Sequence, residues 1–552
     1  MLITLLSWLF ILSIIIPSGS VFTSLYNKLC GTNKEYTFFD IFWLGLSFLS
    51  AVVVLLSLFL PINIYILGAV FLFTTLYTAF NKNCHSFYNS LFVRIKGLSL
   101  IQIIILGLTT LVILMFSSAP ADSYDMGLYH LQSMIWNEQY SVVPGLANLH
   151  GRLAFNSSSL LLSTLFSYHP QYFRVFFPLN GLCMYILVVY LLVRIIMIKD
   201  LVKQTVIIFL AFLPLFFFMK ELSSTSTDIL PPIIIIYLIC KFLLDNKKGD
   251  ELVYFVLPLF CCTLKLSSAP IAIFTLLVLI VCFRRKAWRE LFILLAVSLI
   301  IILPWLSRYI ILSGYLVYPF SKIDIFCFDW KVPFKEVTRE ENVTYAWARM
   351  PRKPYEVVMN MSYSDWLPAW FKAKSNTIKY IIYLVIISPL VVCVSLLWYR
   401  QKKQMKIVFA WFVAVLGLLF NFLTAPDPRF CYGFLILTAF LPYYLFSFHI
   451  KKVRVPNYNY VLIIGLMLYF ISVQYEILKK QNLFIEPHYI NNSSYNNMFN
   501  IYNLDQVKLY SPVKTDRCFD CCFPCSPYLK NGLELRGRSL QEGFRINNSM
   551  AK

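Results

Sequence analysis

Apolar residues recur in long blocks from one end of the chain to the other, parted by short polar stretches. Crossing a bilayer as a helix takes about 20 mostly apolar residues. Spans are predicted near 1–16, 38–60, 62–80, 97–118, 172–198, 205–219, 228–244, 252–264, 268–283, 290–311, 378–398, 405–424, 430–448 and 458–477. The pattern is that of an all-α polytopic membrane protein with about 14 transmembrane helices. The apolar stretch 158–167 is too short to cross and is expected to be re-entrant or surface-lying.

Composition narrows the class. The chain of 552 residues is 59% hydrophobic and 14% charged, where soluble domains carry roughly 25% charged residues. The formal net charge of +21 would suit nucleic acid, but the basic residues gather in short loops such as Arg284-Arg285-Lys286, Arg400-Gln-Lys402-Lys403 and Lys451-Lys452-Val-Arg454. Clusters of this kind mark cytoplasmic loops, and no basic domain stands apart, so nucleic acid is not an expected partner. Counting spans between them puts 119–171, 220–227, 312–377, 425–430 and the tail 478–552 together on the outer side. The expected localisation is a bacterial cytoplasmic (inner) membrane, with these loops facing the periplasm.

Five segments follow: an N-terminal transmembrane module at 1–96, a core at 97–311 carrying the long outer loop 119–171, an outer-face loop at 312–377, C-terminal helices at 378–477, and a small outer-face C-terminal domain at 478–552. The 312–377 loop carries Trp330, Trp347, Trp366 and Trp370 and could cover a site.

The candidate chemistry lies in the outer loops. Read as a helix, Asp122, Asp125, Tyr129 and Trp136 fall within about 60° of one another, with Leu128, Leu131 and Ile135 opposite. This predicts an amphipathic helix on the bilayer surface, its apolar side in lipid. Two carboxylates there either cap a helix start or serve as a general base beside apolar walls. Downstream, His130, His150 and Arg152 share the loop, and arginine suits a phosphate through its planar fork, unless it merely snorkels to lipid headgroups. Asp228, Lys265, Arg308 and Arg429 sit at other outer helix ends and complete the candidate binding set. Asp228 could equally cap a helix, and Asp427 with Arg429 could be a local pair. No zinc spacing occurs and no metal site is assigned, although Asp122 and Asp125 could hold a divalent cation through hard oxygen ligands. In the tail, Cys518-Phe-Asp-Cys521-Cys522-Phe-Pro-Cys525 on an oxidising face predicts a disulfide between Cys518 and Cys525.

The acids that open a long first outer loop just after a span, with its amphipathic segment, resemble the GT-C superfamily of integral-membrane glycosyltransferases. More narrowly, Tyr124-Asp-Met-Gly-Leu-Tyr-His130, the stretch Val143 to Asn156, Ala425-Pro-Asp-Pro-Arg-Phe430 and the Cys518–Arg536 tail resemble bacterial envelope membrane proteins of the LIC_10190 type. The resemblance implies transfer of a sugar from a polyprenyl-phosphate-linked donor to a glycan or lipid acceptor of the envelope, with Asp122 or Asp125 deprotonating the acceptor hydroxyl. The spans ahead of residue 97 depart from that pattern and read as an added module.

Two alternatives share the same substrates. A polysaccharide polymerase or ligase would use similar loops. A flippase or transporter would place polar groups near the bilayer midplane in paired halves, whereas here they gather at the outer mouths.

Overall fold

The computed structural model describes all residues except 82–92, 94–95, 122, 168–174, 246–249, 399–401, 449–457, 490–498 and 548–552. Asp122 therefore lies outside the described residues, as do Lys82, Arg94, Lys247, Lys248 and the 451–454 basic cluster.

Helices dominate because apolar blocks in lipid must satisfy their own backbone polar groups. In chain order they are α1 (Leu2–Cys30), α2 (Phe38–Leu56), α3 (Ile64–Phe80), α4 (Leu100–Ser118), α5 (Leu131–Gln139), α6 (Ser158–Leu165), α7 (Leu179–Met197), α8 (Leu201–Phe218) and α9 (Leu230–Leu244). After these come α10 (Glu251–Leu264), α11 (Ile273–Arg284), α12 (Trp288–Ser313), α13 (Phe334–Arg349), α14 (Tyr363–Ala373), α15 (Asn376–Trp398), α16 (Lys402–Thr424), α17 (Tyr432–Tyr444) and α18 (Tyr458–Gln481). Among the described residues, eleven helical segments are long and apolar enough to cross a membrane, and α3, α9 and α10 are shorter apolar helices. The chain is a multi-pass helical membrane protein. The first helix is longer than its expected span, because Pro17 is accommodated inside it and it runs to a left-handed Gly31.

The two short helices α9 and α10 are deeply enclosed. Every residue of α9 from Leu230 to Lys241 is buried, against α7, α8, α10, α16 and α17. A helix apolar on all sides belongs at the centre of a bundle, and Pro231 and Pro232 sit in its first turn, where no backbone donor is lost. Helices α1 and α2 pack on this core. Trp8 donates to the Pro178 carbonyl at 2.9 Å, and α2 packs on α6, α10 and α12.

The α1–α2 crossing is backbone on backbone. A Cβ on Gly45 would lie 2.1 Å from the Ile15 carbonyl oxygen, and one on Gly19 would lie 2.0 Å from that of Ile41. Small residues permit this approach. Gly45→Ala is expected to destabilise the protein by about 3 kcal/mol, since the obstacle is main chain. Gly68→Ala and Gly465→Ala, with open space around them, should leave the melting temperature in detergent unchanged; equal losses in all three would refute the close crossing.

Two buried polar knots tie opposite ends of α2. At its start, Asp40 accepts from Tyr237 at 2.7 Å and from Lys241 at 3.0 Å, and Lys241 also pairs with Asp250 at 3.2 Å. Just past its end, Ser57 receives one guanidinium N–H of Arg308 at 2.6 Å.

The stretch 158–167 yields the eight-residue helix α6, wholly buried against α2 and α5. The tail contributes two antiparallel hairpins, β1 (Phe499–Leu504) with β2 (Val507–Pro512), and β3 (Leu533–Leu535) with β4 (Phe544–Ile546). Cys518 and Cys525 form a disulfide. The tail is stitched to the 119–171 loop: Phe544 N–H donates to the Pro144 carbonyl at 3.0 Å, Ser526 to Leu149 at 2.9 Å and Lys530 to Ala147 at 3.1 Å.

Candidate functional site

Pro120 follows the end of α4, and the chain re-enters a helix at Tyr124. Met126–His130 then form a single π-helical turn that runs directly into α5. The surface-lying amphipathic helix expected here is not what forms. Leu128, Leu131 and Ile135 are buried inside the protein, as is the whole of Met126 to Trp136. The apolar face meets protein, since Met126, Leu131 and Met134 pack on Val175, Phe177 and Phe519. Periodicity alone could not separate a lipid neighbour from a folded tail, because both are apolar.

The turn carries Asp125 to Arg152, which stands on the short 3-10 turn Gly151–Ala154. Their closest N–O distance is 3.5 Å, and the same guanidinium lies 3.4 Å from Glu340 on α13. Tyr129 closes one side, with the Arg152 guanidinium 6.0 Å from its ring and Phe155 edge-on at 5.8 Å. Gly151 leaves room for the far wall, because a Cβ there would sit 2.8 Å from the Tyr318 hydroxyl and 3.2 Å from Glu340.

A second pair adjoins the first. Lys265, at the end of α10, is hydrogen-bonded to Asp228, which precedes α9, and its ammonium lies 3.9 Å from the centre of the Phe430 ring. Arg429 pairs with Asp427 at 3.4 Å and is within electrostatic reach of Asp228, Asp125 and Glu221. Between the pairs sits His130, whose Nδ1 is 3.0 Å from the Thr225 hydroxyl and whose Nε2 has no hydrogen-bond partner among the described residues. Asp125, Asp228, Lys265 and Arg152 all act on it electrostatically. The charged side chains remain partly open, with Asp125 at 35% and Arg152 at 26% accessibility.

Burial would raise the Asp228 carboxyl, but Lys265 and Arg429 outweigh it and hold the group below the usual carboxylate range. Glu221 is pushed the other way, by burial and by the neighbouring charges of Asp228 and Asp125. Burial lowers His130 to about 4 and His150 to about 3, Arg152 adding to both. Both imidazoles are thus neutral in the fold at pH 7. The unfolded chain takes up these protons near pH 6.5, so stability falls as pH drops below about 6.5 and continues to fall to about 4 for His130 and about 3 for His150. Melting in detergent from pH 7 to 5 should show this decline, and His130→Gln with His150→Gln should flatten it. An unchanged slope in the double variant would refute the assignment.

Of the residues singled out from sequence, Asp125, Tyr129, His130, Arg152, Asp228, Lys265 and Arg429 converge here. His150 lies beside it, buried, with its ring 5.9 Å from that of Tyr528. Arg308 does not join them. Its three guanidinium nitrogens donate to Asn156, Ser57 and Asn137 at 3.0, 2.6 and 2.9 Å, so it fastens α12 to α2 and the long loop instead of facing a ligand. Glu340, Glu221, Thr225, Tyr318 and Tyr528 were not legible as site residues; the tryptophan-rich 312–377 loop signalled only that something covers the site. Among the described residues, no group of three or more His, Cys, Asp or Glu side chains is placed to hold a metal ion.

A family model described as "Domain of unknown function (DUF8201)" matches residues 1–436. The chain belongs to the DUF8201 family. No curated protein matches it, and no solved structure does. Every charged residue of the cluster lies inside the DUF8201 region, while the tail cysteines lie beyond it.

Proposed function

We propose that this DUF8201 protein is a membrane glycosyltransferase of the GT-C type. It moves a sugar from a polyprenyl-phosphate-linked donor to a glycan or lipid acceptor of the cell envelope, at a site on the periplasmic face of the cytoplasmic membrane. One observation carries the reading: Asp125–Arg152–Glu340 and Asp228–Lys265, with Arg429 alongside, meet where loops join the ends of apolar helices. A reaction that takes a proton from a hydroxyl and releases a phosphate needs both charge types in one place.

Asp125 takes the acceptor proton, a role that Asp122 could share from three residues earlier. The acceptor oxygen bonds to the sugar's anomeric carbon, and the carbon–oxygen bond to phosphate breaks. Arg152, Lys265 and Arg429 are the cations available to the leaving polyprenyl phosphate. Phe155 and Phe430, both partly exposed, supply aromatic surface suited to a sugar ring.

The test is acceptor-dependent release of polyprenyl phosphate by the purified protein in vesicles that carry polyprenyl-phosphate-linked sugar. Release with sugar appearing on the acceptor supports transfer. Movement of intact lipid-linked sugar between leaflets without bond cleavage would overturn it in favour of a transporter.

A further inference from the structure

A π-helical turn is rare and persists only where its surroundings hold it. Here the surroundings are the tail. The Phe519 N–H donates to the Gly127 carbonyl inside the turn at 2.9 Å. Gln132, 1% exposed, donates to the carbonyls of Phe519 and Cys522, both at 2.8 Å, and accepts the Cys525 N–H at 3.1 Å. The Phe519 ring packs directly against the turn, since a Cβ on Gly127 would come within 2.6 Å of it. All four main-chain groups belong to the stretch that the Cys518–Cys525 disulfide closes. Beside them, Tyr124 and Tyr528 both donate to Asp516, which ties the residue before Asp125 to the tail as well.

We infer that this disulfide-closed knuckle is a positioning element that holds the π-turn open, so that Asp125, Tyr129 and His130 face Arg152 and Thr225 only while Cys518 and Cys525 are joined. A π-turn contains one residue more than an α-turn spanning the same bonds. Relaxing it to α would rotate Asp125 by about 100° about the helix axis relative to α5, out of line with Arg152. The cross-link acts by denying the loop its free conformations. A dithiol reductant removes it: two electrons pass to the sulfur–sulfur bond, Cys518 and Cys525 each end as a thiol with a proton from the dithiol, and the reductant becomes a disulfide. The inference concerns the geometry of the proposed site and does not depend on the chemistry performed there.

The experiment uses the full chain in lipid nanodiscs. Amide exchange is followed by mass spectrometry for the oxidised protein, for protein reduced with dithiothreitol, and for the Cys518→Ser/Cys525→Ser and Gln132→Ala variants. Exchange across 124–132 should rise by about tenfold or more in each altered form while α9 and α10 stay protected. The His130 imidazole, followed by NMR with His130→Gln as the assignment control, should at the same time titrate closer to pH 6.5. Faster exchange confined to 516–528 would overturn the inference, because the knuckle would then merely rest on the turn. Acceleration throughout, α9 and α10 included, would overturn it too, by making the tail a general stabiliser. If the cysteine variants do not accumulate, reduction of the wild-type protein provides the same comparison. No substrate is present, so failure here leaves the transferase reading standing, and an inactive transfer assay leaves this inference intact.

Discussion

Asp125→Asn is expected to lower sugar transfer by about 10²–10⁴-fold, the range for removing a general base, with protein level and melting temperature nearly unchanged. The two effects separate because Asp125 is partly exposed and only loosely paired, 3.5 Å from Arg152. An exposed pair of that kind contributes about 0–1 kcal/mol to stability. Asparagine keeps the volume and still meets the guanidinium, so what is lost is the capacity to take a proton. Glu340→Gln is the matched control, since Glu340 holds the other side of the same arginine at 3.4 Å. If Asp125→Asn transfers normally and Glu340→Gln does not, the base is Glu340. If both transfer normally, the carboxylate mechanism at Arg152 is wrong, and Asp122→Asn becomes the remaining variant to measure.

The largest stability effect should come from the other end of the bundle. Lys241→Ala is expected to destabilise the protein by about 3–5 kcal/mol, as removal of one partner strands buried charge. The lysine is 2% exposed and serves Asp40 and Asp250 at once. Its loss removes the cation that these two buried carboxylates share, although Tyr237 still donates to Asp40. Combining Asp40→Asn with Lys241→Met should recover part of the loss, because one stranded charge disappears with the cation. The measurement is the melting temperature in detergent and the yield of folded protein. A melting point for Lys241→Ala within a degree or two of wild type would mean the cluster is solvated in solution.

The apolar helices were readable because lipid enforces a simple rule, long apolar blocks: among the described residues, eleven predicted blocks coincide with helices long enough to cross and three with shorter ones. One difference has a local cause: α1 accommodates Pro17 and runs past the predicted end near residue 16. The site was readable in part. Asp125, Arg152, Asp228 and Lys265 stand out as charges at the ends of apolar segments, which are expensive unless used. Arg308 stands out for the same reason, yet its donors go to Asn156, Ser57 and Asn137, three uncharged residues with nothing in their sequence context to reveal a meeting point. Glu340 was hidden in the opposite way, as one acid among several on the amphipathic helix α13. The tail's grip on the 119–171 loop involves partners nearly 400 residues apart, Gln132 with Cys525 for one, and no local pattern encodes such a contact.

The order in which the chain is made has a consequence for the knuckle at 518–525. Helices α1 to α18 are synthesised before it, so they can be inserted and packed while the Gly127 carbonyl and the Gln132 amide still lack their partners. A chain cut after α18 would carry α1 to α18 and lack the knuckle that grips the turn before α5. Oxidation of Cys518 and Cys525 can therefore come only after these helices have been made, and the contacts to Gly127 and Gln132 close onto a bundle that already exists.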